Sequence, residues 1–346
     1  MRGPWIDSDA FADGKARHEK EPIAQAIDGR QWRRTIMRPF AARCLMLTVA
    51  CVFFLGAGCP GGLPLPTPTG PYTSIIVFGD SLSDVGNDYC ETAQLAPREP
   101  YSAGRFSNGD LWIQHVAAHF GLPMVASRAG GTNYAAGGAG TGTGQNAIAG
   151  LPFIENMRTQ LTMYTGTPKD TELFAIWGGA NDIFDDLNGD KDITPEEMAT
   201  NVVLVIIDLY ERGARNFVVL NLPTFGSLPR YRGTAQEAAA TGLSDRFNVS
   251  LKDWLDRLEG LDGLKIIRVD AAAFFADRIA HPPPDLTNTT DAAWTGNYLG
   301  LDGTLAANPD AYVFWDQIHP SRISHALLGQ YVIGVIEANL AAMNNP

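Results

Sequence analysis

The chain contains the segment Ser74-Ile75-Ile76-Val77-Phe78-Gly79-Asp80-Ser81, in which an apolar, β-branched run ends at a glycine and a serine. Such a run predicts a buried β-strand that stops at Gly79. In open α/β sheets the chemistry lies beyond the carboxyl ends of the strands. The segment therefore predicts that the Ser81 hydroxyl stands at the functional edge of a sheet.

Similar short apolar runs recur along the chain and are separated by longer helical patterns. This alternation predicts an α/β fold, with a parallel sheet covered by helices on both faces. The predicted strands are residues 75–78, 173–177, 216–220 and 264–269, with a weaker fifth strand at 124–126. The predicted helices are 110–120, 195–212 behind a capping box of Thr194 and Glu197, and 321–343. Residues 281–311 are predicted to form a long loop that shapes the substrate pocket.

The composition is that of an ordinary globular protein. The chain has 346 residues, and 45% of them are hydrophobic, which is enough for a sizeable core. The formal net charge is -12. A surface that neutralises phosphates needs an excess of Lys and Arg, so nucleic acid is excluded as a predicted partner.

The amino-terminal part of the sequence has the pattern of an export signal. Residues 1–36 are polar and mixed in charge, and we interpret them as a non-structural extension upstream of a translation start at Met37. Residues 37–58 combine basic residues, an apolar run and a stretch of small residues, which is typical of a signal peptide. The apolar run is shorter than the ~20 residues of a membrane-spanning helix. Export of the chain is therefore expected.

Cys59 follows Gly-Ala-Gly, which is similar to the lipobox of bacterial lipoproteins. We expect a lipid anchor at Cys59, which would make the protein an outer-membrane or cell-surface lipoprotein of a bacterium, or a secreted one. Residues 59–72 predict an extended Pro/Gly-rich linker, and residues 73–346 predict the folded domain. Cys90 is then left unpaired, and we expect it to be a partly buried, small apolar residue.

Three further segments can supply what a serine nucleophile needs. A serine hydroxyl requires a base and a group that orients this base. His319 is the candidate base, and Asp316, three residues earlier, is the candidate orienting acid. The glycine-rich residues 130–140 can offer backbone N–H groups to an oxyanion, and Asn181 can offer its side-chain amide. These residue types together predict a serine esterase.

Four sequence blocks, taken in order, resemble the GDSL, or SGNH, hydrolase family. They are Gly79-Asp80-Ser81-Leu82, the glycine Gly138, Gly179-Ala180-Asn181-Asp182, and Asp316-Gln317-Ile318-His319-Pro320. The resemblance covers about residues 73–343. One such block is a weak signal, whereas four in the same order are specific.

This resemblance implies a three-layer α/β/α sandwich with a flavodoxin-like parallel sheet of about five strands. It implies Ser81 as nucleophile, His319 as base and Asp316 as the acid that orients it. The implied oxyanion hole consists of the N–H groups of Ser81 and Gly138 and the amide of Asn181. Members hydrolyse carboxyl esters, some of them phospholipids, and some transfer the acyl group to alcohols. We therefore expect a secreted esterase or lipase that acts on a small-molecule or lipid ester without a cofactor.

Other functions remain open from the sequence alone. The same site would serve an acyltransferase or a carbohydrate deacetylase, and the fold would also serve a non-catalytic, surface-binding lipoprotein. A two-metal phosphoesterase is a rival enzyme class. Its ligands would be Asp80, Asp84, Asn181, Asp182 and His319.

Two more patterns have the spacing of metal ligands. Residues 186–197 match a calcium loop at five positions, which are Asp186, Asn188, Asp190, Thr194 and Glu197. Lys191 replaces the glycine that such a loop needs, so we favour an acidic loop before a capped helix and keep calcium as the alternative. His115 and His119 form an i, i+4 pair without a third ligand in sequence, and we favour packing at a helix surface.

Overall fold

The computed structural model of the protein describes residues 68–148, 151–191 and 193–344. The predicted extension (1–36), the predicted signal peptide (37–58) and Cys59 lie outside these residues, as does most of the predicted linker. Those predictions therefore stay predictions. The described residues all belong to one unit of the chain.

The central sheet consists of parallel strands whose order differs from their order in sequence. Its strands in the described residues are β1 (Ser74–Gly79), β4 (Glu172–Trp177), β5 (Asn216–Leu220) and β6 (Lys265–Val269), which lie in that spatial order. The first three strands are almost fully buried, which explains why each reads as a continuous apolar run. The predicted α/β sheet is present, and each of the four stronger predicted strands is found within one residue of its predicted bounds.

The predicted weaker strand at 124–126 differs in the structure. Within the described residues Ala126 makes only a single bridge, to Asn133. The free edge of β1 is instead lined by residues 132–136: Val77 N donates to the Thr132 carbonyl at 3.1 Å, and Tyr134 N donates to the Val77 carbonyl at 2.8 Å. The glycine-rich segment therefore runs along this edge of the four-stranded sheet, where its backbone forms hydrogen bonds with β1.

Two smaller strand pairs lie outside the central sheet. Strand β2 (Gln145–Ile148) pairs antiparallel with β3 (Leu151–Glu155), and β7 (Asn288–Ala292) pairs in parallel with β8 (Tyr312–Phe314). Residues 281–311 are thus not a loop throughout, since they include β7. Its partner β8 lies twenty residues further along the chain, so local sequence gives no sign of the pairing.

Helices form two groups that contact the sheet and one another. They are α1 (Asn87–Glu91), α2 (Trp112–His119), α3 (Met157–Met163), α4 (Ala180–Asn188), α5 (Pro195–Glu211), α6 (Glu237–Leu258), α7 (Ala271–Ala280) and α8 (Arg322–Asn344). Helix α8 packs against α2 and α7, whereas α5 packs against α3 and α6, and α6 also contacts α4. The arrangement is the predicted three-layer α/β/α sandwich.

Several helix ends follow the predicted chemistry. Thr194 caps α5 by accepting a hydrogen bond from Glu197 N, while the Glu197 carboxylate accepts from Thr194 N, so the predicted capping box is confirmed.

The prediction for Cys90 is wrong, because this residue is exposed. The short helix α1 buries Asn87 and Asp88 instead and turns Cys90 outward.

Among the described residues, one helix is long and apolar enough to span a membrane, judged by length and composition alone. It is residues 322–343 of α8, with a mean hydropathy of 1.4. The side chains of Leu328, Val332 and Ile336 on this helix are fully buried in the domain core. A core helix of a globular domain has the same composition, so this finding is weak evidence for a membrane span.

Candidate active site

The turn that carries Ser81 is held in place by the sheet and by α3. Position 79 requires glycine, because a Cβ atom there would overlap the carbonyl oxygen of Trp177 on the neighbouring strand β4. The buried side chain of Gln160 accepts a hydrogen bond from Gly79 N at 3.1 Å and donates one to Gly79 O at 2.8 Å. The end of β1, and with it Ser81, therefore has a fixed position. Gln160 is 81 positions away from Gly79, so its role was not predictable from the local sequence.

Ser81, His319 and Asp316 lie together in one hydrogen-bonded series. The distance from Ser81 Oγ to His319 Nε2 is 2.8 Å, and His319 Nδ1 lies 2.8 Å from Asp316 Oδ2. All three residues are less than a tenth exposed. The β8–α8 loop thus brings both of its predicted residues to the hydroxyl at the end of β1, which is 238 positions away from His319 in the sequence.

Asp316 receives several hydrogen bonds that keep it ionised. Burial alone would raise the pKa of Asp316, but His319 and the neighbouring donors outweigh burial and hold this pKa below its usual value. The donors are the backbone N–H groups of Ile318 and His319, at 2.9 and 2.8 Å from Oδ1, and the Tyr101 hydroxyl, at 2.8 Å from Oδ2. A carboxylate that stays charged can stabilise a positive charge on the imidazole.

Tyr101 is a site residue that sequence analysis missed. It is 2% exposed, its ring packs edge-on against Trp315 and Tyr298, and burial raises the pKa of its hydroxyl. The hydroxyl therefore stays protonated and donates its hydrogen to Asp316. Tyr101 and Asp316 are 215 positions apart in the sequence, and no spacing rule links them.

Aromatic rings also enclose His319. The Phe106 ring lies 5.4 Å from the imidazole and is tilted by 33° to it, and the Tyr298 ring lies 5.9 Å away in an edge-on arrangement. Tyr298 comes from the segment 281–311, which was predicted to shape the pocket, and it lines the cleft in front of Ser81. These contacts restrict the ring orientation of His319.

The predicted oxyanion donors face the same cleft as the serine. Gly138 and Asn181 line it together with Ser81. Asn181 lies in the first turn of α4 and donates one amide hydrogen to the Ala139 carbonyl at 3.0 Å. A side-chain amide has two hydrogens, so the second can point to a ligand. Gly138 adopts φ +80°, a backbone conformation that favours glycine.

Two buried acids hold the glycine-rich segment beside Ser81. Asp84 Oδ2 accepts a hydrogen bond from Gly137 N at 3.1 Å, and Asp182 Oδ2 accepts one from Thr141 N at 2.7 Å. Burial raises the pKa of Asp84, and it raises the pKa of Asp182 to about 6. These two acids were candidate ligands in the two-metal alternative. Their oxygens instead satisfy backbone N–H groups that would otherwise be buried without a partner.

The remaining metal patterns do not converge into one cluster. Among the residues that the structure describes, there is no group of three or more His, Cys, Asp and Glu side chains that could hold a metal ion. Of the calcium-loop positions, Asp186 and Asn188 belong to α4, and Thr194 and Glu197 bond to each other in the capping box. His119 Nε2 lies 2.9 Å from Glu337 on α8, as expected for packing at a helix surface.

Two cavities of opposite character meet at Ser81 and His319. One is narrow and apolar, with a cavity volume of about 30 Å³, and its walls include Trp177, Phe184, Phe225, Leu228, Phe275 and Phe314. The other is a wider, polar cleft of about 370 Å³, and it is lined by Asn146, Asp185, Asp190, Lys191, Arg230 and Tyr298. The oxyanion candidates Gly138 and Asn181 belong to the polar cleft.

A hydroxyl, an imidazole and a carboxylate in one series, at the carboxyl edge of a parallel sheet between helices, define a serine-hydrolase type of site on an α/β/α sandwich. The chain belongs to the family of GDSL-like lipases and acylhydrolases, whose sequence model matches residues 75–332. Both the family and the fold class predicted from the sequence are therefore confirmed.

Relatives in this family carry several names. The chain is 27% identical over 319 residues to a phosphatidylcholine-sterol acyltransferase of Aeromonas hydrophila, and the match covers 77% of this chain and 91% of the relative. It is 27% identical over 316 residues to a GDSL esterase/lipase of Arabidopsis thaliana, and this match covers 76% and 82%. Among solved structures, a carbohydrate acetylesterase family member from Sinorhizobium meliloti aligns with a TM-score of 0.45 at 16% identity, covering 78% of this chain and 99% of that one.

Buried acids at the site make the stability of the domain depend on pH. Burial raises the pKa of Asp80 to about 7, so the folded protein keeps this proton at pH values where the unfolded chain has released it. The contribution of Asp80 to the free energy of unfolding then falls as the pH rises from about 4 to about 7. We expect this contribution to fall by roughly 2–4 kcal/mol.

The isosteric variant Asp80→Asn does not ionise, so its stability should fall less over the same range. Urea unfolding of both proteins at pH 4, 5.5 and 7 measures the difference. Parallel curves of stability against pH for the two proteins would contradict the assignment of this titration to Asp80.

Proposed function

We propose that this protein is an exported serine esterase or lipase that hydrolyses carboxyl esters through an acyl-enzyme on Ser81. The observation that carries the proposal is the hydrogen-bonded series of Ser81, His319 and Asp316. The distances from Ser81 Oγ to His319 Nε2 and from His319 Nδ1 to Asp316 Oδ2 are both 2.8 Å. Membership of the lipase and acylhydrolase family supports the same reaction. The side chains supply the nucleophile and the proton transfer, so the proposed reaction needs no cofactor.

Acylation begins when Ser81 Oγ attacks the ester carbonyl carbon and its proton moves to His319 Nε2. Asp316, held ionised by its donors, stabilises the imidazolium and keeps Nδ1 protonated. The tetrahedral intermediate then collapses, and His319 gives the proton to the leaving alcohol oxygen. The products of this half-reaction are a free alcohol and an ester of Ser81.

The oxyanion of the tetrahedral intermediate needs donors that are in place before the reaction. We assign this role to the N–H groups of Ser81 and Gly138 and to the second amide hydrogen of Asn181. The supporting observation is that all three residues line one cleft, while the Asn181 amide is already oriented by its hydrogen bond to Ala139. Loss of one such donor costs about 10²–10³-fold in rate in other serine hydrolases.

Deacylation runs the same steps with a new nucleophile. His319 takes a proton from a water molecule, and the water oxygen attacks the carbonyl carbon of the acyl-enzyme. The second tetrahedral intermediate then collapses, and His319 returns the proton to Ser81 Oγ as it leaves. An alcohol can replace water in this step and would give acyl transfer. We keep transfer as the second function, because the relative from Aeromonas hydrophila carries the name of an acyltransferase.

We also propose that the domain is exported and anchored by a lipid on Cys59. Support comes from the sequence pattern of residues 37–58 and the small residues before Cys59. The Pro/Gly-rich linker would hold the domain away from the membrane surface. Substrate would then reach Ser81 outside the cytoplasm.

Intact-mass measurement of protein extracted from membranes of a bacterial host tests the anchor. We expect a mature chain that begins at Cys59 and carries acyl groups, whereas Cys59→Ala should remain unprocessed or unlipidated. A chain that begins upstream of Cys59, or an unmodified Cys59 at its start, would contradict the proposal.

Removal of the nucleophile is the direct test of the mechanism. Ser81→Ala should lower kcat/KM on p-nitrophenyl butyrate by at least ~10³-fold, because the acyl-enzyme cannot form. A fluorophosphonate should add to the wild type at Ser81 and leave Ser81→Ala unmodified in the mass spectrum. Ser250→Ala, on α6 and outside both cavities, is the control and should keep wild-type rates. Equal rates for Ser81→Ala and the wild type would refute the proposal, and no hydrolysis by either would favour a binding lipoprotein.

Tyr101 is expected to act through Asp316 as a positioning residue. Tyr101→Phe keeps the ring but removes a hydrogen bond to a charged group, so kcat should fall by about tenfold with little change in KM. Without this donor the carboxylate stabilises the imidazolium more strongly, so the acidic limb of the pH–rate profile should move to higher pH. Tyr231→Phe is the matched control, because Tyr231 is equally buried and its hydroxyl has no partner among the described residues. Identical pH profiles for wild type and Tyr101→Phe would rule out this role.

A further inference from the structure

We propose that Asn146 is a positioning residue for the oxyanion donor Gly138, and that Lys191 holds Asn146 in place. The structure forms a series in which Asp185 pairs with Lys191, Lys191 donates to Asn146, and Asn146 donates to Gly138. This inference rests on the proposed function, since it concerns the Gly138 N–H group as a donor to the oxyanion.

The backbone of the glycine-rich segment beside Ser81 is held by side chains from several elements. Each of the residues 137–141 forms a backbone hydrogen bond of 2.7–3.1 Å with a side chain. The side chains are, in that order, Asp84, Asn146, Asn181, Asn156 and Asp182. A segment rich in glycine has many accessible conformations, and these hydrogen bonds favour one of them.

Asn146 restrains the residue of this segment whose conformation matters most for the oxyanion. Gly138 has φ +80°, and as a glycine it can leave this conformation without a steric penalty. Its N–H group lies between two restrained backbone groups: Asp84 accepts from Gly137 N, and Asn146 donates to the Gly138 carbonyl at 2.8 Å. Loss of the Asn146 hydrogen bond would release the second group, so the N–H group could turn away from the oxyanion.

Asn146 belongs to the strand pair β2–β3, which lies outside the central sheet. In this pair Asn146 is opposite Ile154. Ile154 is buried in a small apolar cluster with Ala136 and Ala139, which lie on either side of Gly138 in the sequence. The strand pair is therefore attached to the glycine-rich segment by an apolar contact as well as by the Asn146 hydrogen bond.

Lys191 decides which way the Asn146 amide faces. An ammonium group can only donate, so Asn146 directs its oxygen to Lys191 Nζ at 2.8 Å and its amino group to the Gly138 carbonyl. Lys191 is itself held by Asp185 Oδ2 at 2.7 Å. The lysine that interrupts the calcium-loop pattern of residues 186–197 thus has a role of its own.

Helix α4 braces both of the oxyanion donors that lie outside the serine turn. Its first turn carries Asn181, and Asp185 on the same helix holds Lys191. Asn146 and Lys191 line the same polar cleft as Gly138. A change at Lys191 should reach Gly138 through Asn146, which means that the two side chains act in series.

The experiment compares Asn146→Leu with the wild type, both as full-length proteins. Leucine is similar in size to asparagine but cannot donate to the Gly138 carbonyl. On p-nitrophenyl butyrate kcat should fall by about 10–100-fold, while KM stays within about twofold of the wild type. Asn339→Leu is the matched control, because Asn339 donates an equal hydrogen bond of 2.8 Å to the Val335 carbonyl on α8, outside both cavities. It should keep the wild-type kcat and KM.

A transition-state analogue separates loss of the oxyanion donor from a change in the shape of the cleft. The carbonyl carbon of butyl trifluoromethyl ketone bonds to Ser81 Oγ, the serine proton moves to His319, and the ketone oxygen becomes an oxyanion. The affinity of Asn146→Leu for this ketone should fall by the same factor as kcat/KM, whereas its affinity for the corresponding carbinol should stay within about twofold. A wild-type kcat in Asn146→Leu, or equal losses of affinity for ketone and carbinol, would overturn the proposal.

Lys191→Met tests the series and covers the case in which Asn146→Leu does not fold, because the Lys191 side chain is 40% exposed. Here kcat should fall by about fivefold, the value of one hydrogen bond, and the loss should again appear with the ketone and not with the carbinol. The double variant should be no slower than Asn146→Leu alone, because Lys191 then has no amide to orient. Losses that multiply in the double variant, or a wild-type kcat in Lys191→Met, would overturn the role of Lys191.

Ser81→Ala distinguishes failure of this inference from failure of the proposed function. If Ser81→Ala is inactive and Asn146→Leu keeps the wild-type kcat, only the positioning role is wrong. If Ser81→Ala hydrolyses the ester as fast as the wild type, both are wrong.

Discussion

The parallel pairing of β1 with β4 is the constraint on which the site depends. In this register Gly79 lies beside Trp177, so β1 and β4 end at the same edge of the sheet. The chain continues from the end of β1 to Ser81 and from the end of β4 to Asn181. The close approach is possible because Gly79 has no Cβ atom, and Gln160 forms hydrogen bonds with both the N–H group and the carbonyl of Gly79. The distance between the nucleophile and the amide donor is therefore set by backbone geometry and does not depend on a flexible loop.

A second constraint follows from the first, because a glycine-rich segment packed against β1 buries its own backbone. Asp84 and Asp182 accept hydrogen bonds from Gly137 and Thr141, which satisfies these N–H groups beside the cleft. Burial raises the pKa of both acids, so their folded environment costs stability. The site thus exchanges some stability for donors that are already in place, which is the usual relation between preorganisation and catalysis.

Much of this arrangement follows from local sequence, and its limits have physical reasons. The strands around Ile76 and Val218 were predicted correctly because strands that are buried on both faces are apolar throughout. The cap at Thr194 was predicted correctly because a helix cap depends on a residue only three positions away. Strand β7 was missed because its partner β8 is distant in sequence. The side chains of Gln160 and Tyr101 were missed for the same reason: each bonds to a residue at least 81 positions away.

The sequence by itself determined the fold class, the family and the candidate residues Ser81, Asp316 and His319, because residue type and block order carry that information. Tertiary structure alone decided which atoms meet: the hydrogen bond from Tyr101 to Asp316, the aromatic enclosure of His319, and the separation of an apolar cavity from a polar cleft at the serine. The physical reason is that cavities and buried hydrogen bonds are formed by side chains from several elements, whose distances exist only once the sheet and its helices have packed.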